Sequence, residues 1–77
     1  MRIEVKRTHI RRGQQEKPDA CPIALAVKES LGVKHVDVQP YELTIGKLKF
    51  SLPDEAHYFI EAFDENKSSV EPFAFEI

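Results

Sequence analysis

The twelve residues 41–52, YELTIGKLKFSL, restrict the chain most. Gly46–Lys47 is a two-residue turn signal between two alternating apolar runs. With that turn set, Ile45 lies opposite Leu48, Leu43 opposite Phe50, and Tyr41 opposite Leu52. Opposed residues of an antiparallel pair share a face, so all six apolar side chains line one side of a hairpin. A face of that kind has to be covered, and two other stretches have the pattern to cover it.

The first is CPIALAVKESLG, residues 21–32. Asp19 is expected as its N-cap, Pro22 is tolerated in the first turn, and Gly32 is the stop. Ala20, Ile23, Ala24, Val27 and Leu31 fall on one side at helical spacing, with Cys21, Leu25, Lys28 and Glu29 on the other. The second is PDEAHYFIEAFDEN, residues 53–66. Pro53 suits its start, and Asp54 and Glu55 suit its positive end. Ala56, Phe59, Ile60 and Phe63 make the apolar stripe, and Asn66 stands in for a terminating glycine.

RIEV (2–5) and VEPFAFEI (70–77) alternate as strands, and KHVDVQ (34–39) adds a third, with Pro40 marking a turn or edge. THIRRG (8–13) reads as a single turn that Thr8 caps and Gly13 ends in the left-handed conformation. GQQEKP (13–18) reads as a polar loop. The order is therefore β-α-β-β-β-α-β. The expected fold class is α+β: one two-layer domain over residues 1–77, a mainly antiparallel sheet with two helices packed on one face. A chain of 77 residues buries only about 60% of its unfolded surface, so its core is marginal and association is a common remedy.

Net charge is −2, unevenly spread. Residues 1–12 carry Arg2, Lys6, Arg7, Arg11 and Arg12 against Glu4, and residues 53–77 carry seven acids against Lys67. The plainest account is that both ends lie in one sheet and neutralise each other. The pattern also steers an anion toward the amino-terminal segment. No apolar stretch approaches the roughly 18 residues of a membrane span, no signal-peptide pattern opens the chain, and one cysteine cannot form an intrachain disulfide. A cytoplasmic location without a membrane partner is the expectation.

Candidate chemistry gathers in two places. Lys6, Arg7, His9, Arg11, Arg12 and Cys21, with the start of the first helix, are the candidate anion-binding residues. Cys21 at a helix start, near His9 and the arginines, has the ingredients of an activated thiol. Nothing at recognisable spacing supplies an orienting group or an oxyanion site, so no catalytic residue is assigned. The thiol reads instead as a small residue packed where segment 6–18 crosses the helix start. No metal set and no cofactor motif is present. His35 and His57 fall on polar faces, with His57 and Glu61 spaced for a helical pair. Leu25 and Tyr58 are apolar residues on polar helix sides, and they are the candidate interface residues.

HIRRG, CPIALAVKESLG and LPDEAHYFIEAFDENKSSVEPFAFEI together resemble a family of small proteins of bacteriophages, prophages and some bacteria. Cys21–Ala26 and Pro72–Phe75 carry the most specific part, and Asn66 departs from the glycine expected there. The family has no settled activity. The resemblance implies a binding protein aimed at host machinery in a bacterial cell. The expected function is a small non-catalytic binding protein, able to self-associate, that engages a host protein or a small anionic molecule. The alternatives are nucleic-acid binding through residues 6–12, disfavoured by a pI near 5.9, and a cysteine-dependent enzyme using Cys21.

Overall fold

In chain order the elements are β1 (Arg2–Val5), α1 (Arg7–Arg12), α2 (Pro22–Leu31), β2 (Val36–Val38), β3 (Glu42–Ile45), β4 (Leu48–Ser51), α3 (Asp54–Glu65), a 3-10 turn (Lys67–Ser69) and β5 (Phe73–Glu76). The computed structural model describes all residues, 1–77. The fold is α+β, and every strand pairing is antiparallel.

The hairpin adopts the register its turn dictates: Ile45 faces Leu48, Leu43 faces Phe50, and the Leu52 N–H donates to the Tyr41 carbonyl at 3.0 Å. Gly46 has φ +61° and Lys47 a negative φ, the signature of a type II′ turn, whose twist matches that of the strands. β2 joins β3 with Val36 opposite Ile45 and Val38 opposite Leu43, extending the same apolar face. β1 pairs with β5, placing Ile3 against Phe75 and Arg2 against Glu76.

The strands form two sheets, β1-β5 and β2-β3-β4, where the sequence suggested one. α2 packs against both β1 and β2, one strand of each sheet. Ile23, Ala24, Ala26 and Val27 on α2 are fully buried, and its alanines let neighbouring backbones come close. α3 adds Ala56, Phe59 and Phe63 to the same core. Phe59 stacks on Phe73 of β5 at 4.6 Å between centroids, which fastens α3 to the first sheet.

Several local expectations are corrected. THIRRG is part of a six-residue helix, α1, rather than one turn. Its cap is Lys6, whose N–H donates to His9 Nδ1 at 2.9 Å, so a buried histidine does the work expected of Thr8. The N-cap of α2 is Cys21, not Asp19. Asn66 ends α3 in extended conformation (φ −152°), and its side-chain oxygen accepts the Ser68 N–H at 3.1 Å to start the 3-10 turn. Gly32 is left-handed as expected, at φ +64°.

Gly13 is not left-handed: its φ is −64°. Space is what requires glycine there. A Cβ at residue 13 would lie 2.7 Å from Pro22 Cδ and Cγ and 2.9 Å from the His9 carbonyl oxygen. The two glycines therefore respond to different substitutions. Gly13→Ala and Gly13→Asn should both destabilise by about 2–3 kcal/mol through overpacking. Gly32→Asn should cost much less than Gly32→Ala, since nothing crowds that position and asparagine tolerates the left-handed region. Urea unfolding of the four variants checks this.

Candidate functional site

Cys21 answers the question that its position raises. It is 4% exposed, and its Sγ accepts the Ala24 N–H at 3.5 Å, so the thiol caps α2. Burial pushes its pKa above the ordinary thiol range; the helix-start N–H groups pull the other way, and the nearby Asp64 carboxylate adds to the rise. Asp64 is there because the 13–18 loop docks on the end of α3. Gln15 Nε2 donates to the Phe63 and Asp64 carbonyls at 2.8 and 3.2 Å, and the Glu16 N–H donates to Asp64 Oδ1 at 3.0 Å. Glu16 adopts φ +58° to do so. The charge that acts on the thiol is thus acidic, the opposite of what the neighbouring arginines in the sequence imply.

The candidate anion-binding residues separate. Lys6 and His9 turn toward Glu29 of α2, at 3.7 and 3.4 Å. His9 is buried; since its Nδ1 accepts from Lys6, its ring proton belongs on Nε2, which faces Glu29 without forming a well-aligned hydrogen bond. Arg7 turns the other way, to Glu71 at 2.6 Å and the Val70 carbonyl at 3.4 Å. Together with the Met1 ammonium, 3.2 Å from Glu76 Oε2, this partly neutralises the two chain ends. Arg11 and Arg12 are exposed and carry no ion pair. Lys6 and Arg7 share one cleft, which Glu4 also lines, and Arg7 and Arg11 share another; opposite the second pair are Asn66, Lys67 and Ser68, distant in the chain and without any local pattern to betray them.

The candidate interface residues differ from each other. Leu25 is half-buried, and Cys21 beside it is not exposed, so the two make no surface patch. Tyr58 is 64% exposed, and Tyr41, at the start of the hairpin, is 66% exposed. Between them lies His57, which is buried rather than solvated. Tyr41 stacks on the His57 ring at 4.3 Å with a 24° tilt, and the Tyr58 ring lies 5.6 Å from it on a slant. His57 Nδ1 is 2.7 Å from the Pro40 carbonyl oxygen, and Nε2 is 3.4 Å from Glu61 Oε1. This fixes the imidazole, and the fixed imidazole holds Tyr41.

Along α3, Asp54, Tyr58, Glu61 and Glu65 follow i, i+4, i+7, i+11 and are all exposed. The outer face of the helix is a carboxylate stripe interrupted by one aromatic ring, with a second ring beside it. Sequence reasoning found Tyr58 and missed Tyr41, whose place in the hairpin pattern pointed it toward the core. No helix is long and apolar enough to cross a membrane. The chain matches no family model, no curated protein and no solved structure.

Two outcomes follow for Cys21. Cys21→Ser should keep the cap, whereas Cys21→Ala should lose about 1 kcal/mol of stability. A thiol whose folded pKa is raised binds more protons folded than unfolded near the free-thiol pKa. Its contribution is therefore complete below about pH 8.5 and lost as pH rises through the folded value. Wild-type stability should fall in that alkaline range by more than that of Cys21→Ser, measured by urea unfolding at several pH values.

Proposed function

We propose that the chain is a non-catalytic binding protein whose contact surface is the outer face of α3 together with Tyr41, and that its partner is a protein surface bearing arginine and lysine. One observation carries the reading: two tyrosines are left about two-thirds exposed while packing against a buried, hydrogen-bonded histidine. Rings held in place before contact lose little side-chain entropy on binding. Tyrosine is also enriched among residues that dominate binding energy. Asp54, Glu61 and Glu65 flank Tyr58 with negative charge, and a guanidinium over a tyrosine ring beside a carboxylate gains from both. The resemblance to phage and prophage proteins supports a host protein in the bacterial cytoplasm as that partner.

A photo-crosslinking residue at position 58 should capture a partner with a basic surface, and the same residue at position 30, on α2, should not. Tyr58→Ala should then weaken binding of the isolated partner by tenfold or more, about the cost of truncating an anchor residue. Glu65→Lys should weaken it further at low salt than at high salt. Unchanged affinity in Tyr58→Ala would overturn the reading.

The hairpin edge favours self-association as a second reading. In the ladder set by the Tyr41–Leu52 bond, the main-chain groups of Lys49 and Ser51 point away from β3, leaving β4 an open edge. Leu48 beside it is 65% exposed, and Phe50 and Ile45 are half-buried. Lys47 and Lys49 repel a second copy of the same edge, so the association is weak and concentration-dependent. Light scattering should show dimers at high concentration that Leu48→Glu abolishes and Tyr58→Ala does not. A strict monomer at all concentrations would sink this second reading.

A further inference from the structure

We propose that the cleft between α1 and the 3-10 turn binds the phosphate of a small organic phosphate, with Arg11 as its principal ligand and Lys67 and Asn66 as supporting donors. The site makes no use of the outer face of α3 and stands or falls separately from the partner surface described above.

The cleft has a volume of about 440 Å³ and is lined by Arg7, Ile10, Arg11, Asn66, Lys67 and Ser68. It contains no carboxylate. Each of four other clefts on the molecule does: Asp19 and Asp37 in one, Glu4 in the second, Glu16 and Asp64 in the third, Glu4 and Glu29 in the fourth. Its polar groups can be counted one by one. Lys67 Nζ donates to the Arg11 and Gly13 carbonyls, both at 2.8 Å, leaving one of its three hydrogens free. Asn66 Oδ1 accepts from the Ser68 N–H and from Ser68 Oγ–H, which leaves the amide nitrogen of Asn66 with both hydrogens unspent. The Arg11 guanidinium has no ion pair. Arg7 is engaged by Glu71 at 2.6 Å, which offsets its charge, so the free positive charge of the cleft is that of Arg11 and Lys67. What remains available is almost entirely donors and positive charge.

Lys67 has a further effect. The carbonyls at the end of α1 present negative partial charge, which would repel an anion, and the ammonium covers two of the carbonyl oxygens in that segment. The same two hydrogen bonds tie segments 11–13 and 67 together, so the cleft exists before any ligand arrives. An arginine fork recognises a phosphate by paired, charge-assisted hydrogen bonds. The cleft is much roomier than one phosphate needs, and Ile10 with the arginine stems gives it an apolar wall. A phosphomonoester with a flat or apolar body fits both features.

The test is a ¹H–¹⁵N NMR titration of the whole chain with phenyl phosphate, with inorganic phosphate as a second arm and sodium chloride matching ionic strength in each. Saturable shifts are expected at amides 10–13 and 66–69, with phenyl phosphate binding several-fold more tightly than inorganic phosphate. Arg11→Gln should weaken phenyl phosphate by about tenfold or more at unchanged Tm, and Arg11→Lys should fall between. Glu71→Gln, which releases Arg7, should leave the affinity equal or raise it. Shifts that do not saturate, that spread to Lys34, Lys47 and Lys49, or that survive Arg11→Gln would overturn the site. Equal affinity for the two phosphates would overturn the ester as its ligand class.

Discussion

Helix α2 is enclosed by β1, β2 and α1, and the rest of the molecule is arranged to let it be so. Its run Pro22–Ala24 and its pair Ala26–Val27 are all buried, wider than the single stripe of a surface helix. Its carboxyl end is exposed at Ser30 and Gly32, but its first turn is buried and takes its cap from a group that tolerates burial, the Cys21 thiol. It also needs chain to cross over it closely. Gly13 makes that crossing, with its α-carbon against the Pro22 ring. The two small sheets are joined through α2, which packs on β1 of one and β2 of the other.

Helix ends are closed by distant side chains as well as by neighbours. Lys67 closes α1, Gln15 closes α3, and His9 reaches back to the main chain of Lys6. Each of the first two joins segments about fifty residues apart, so the capping bonds also hold the tertiary structure. Charge is handled in the same economical way. Arg7 with Glu71 and the Met1 ammonium with Glu76 join the basic and acidic chain ends, while Asp54 and Glu65 on α3 and Arg11 and Arg12 at the end of α1 have no ion pair.

The sequence held most of the fold and less of the site. Turn chemistry and alternation gave the hairpin register residue by residue, because both act over two to twelve positions. The two long helices, the antiparallel pairings and the α+β order were legible for the same reason. Enclosure of α2 was not, since Lys28 and Glu29 supply enough polarity to imitate an ordinary amphipathic face. The burial of His9 and His57 was hidden for a related reason: a histidine is polar in the pattern, yet one accepts a cap bond and the other supports a tyrosine. The basic segment divides: Lys6 and His9 face Glu29, whereas Arg7 and Arg11 line a cleft whose other residues, Asn66 and Lys67, arrive by tertiary folding.

β1 pairs with β5, residue 2 facing residue 76 and residue 5 facing residue 73. Nearly the whole chain is the loop that this pairing closes, and the entropy of closing it is recovered only when both strands are present together. The hairpin, by contrast, needs twelve consecutive residues. On the ribosome the order of manufacture and the order of assembly therefore run in opposite directions: the strand made early, with Ile3 and Val5 ready for the interior, waits unpaired until the last aromatic segment emerges to meet it.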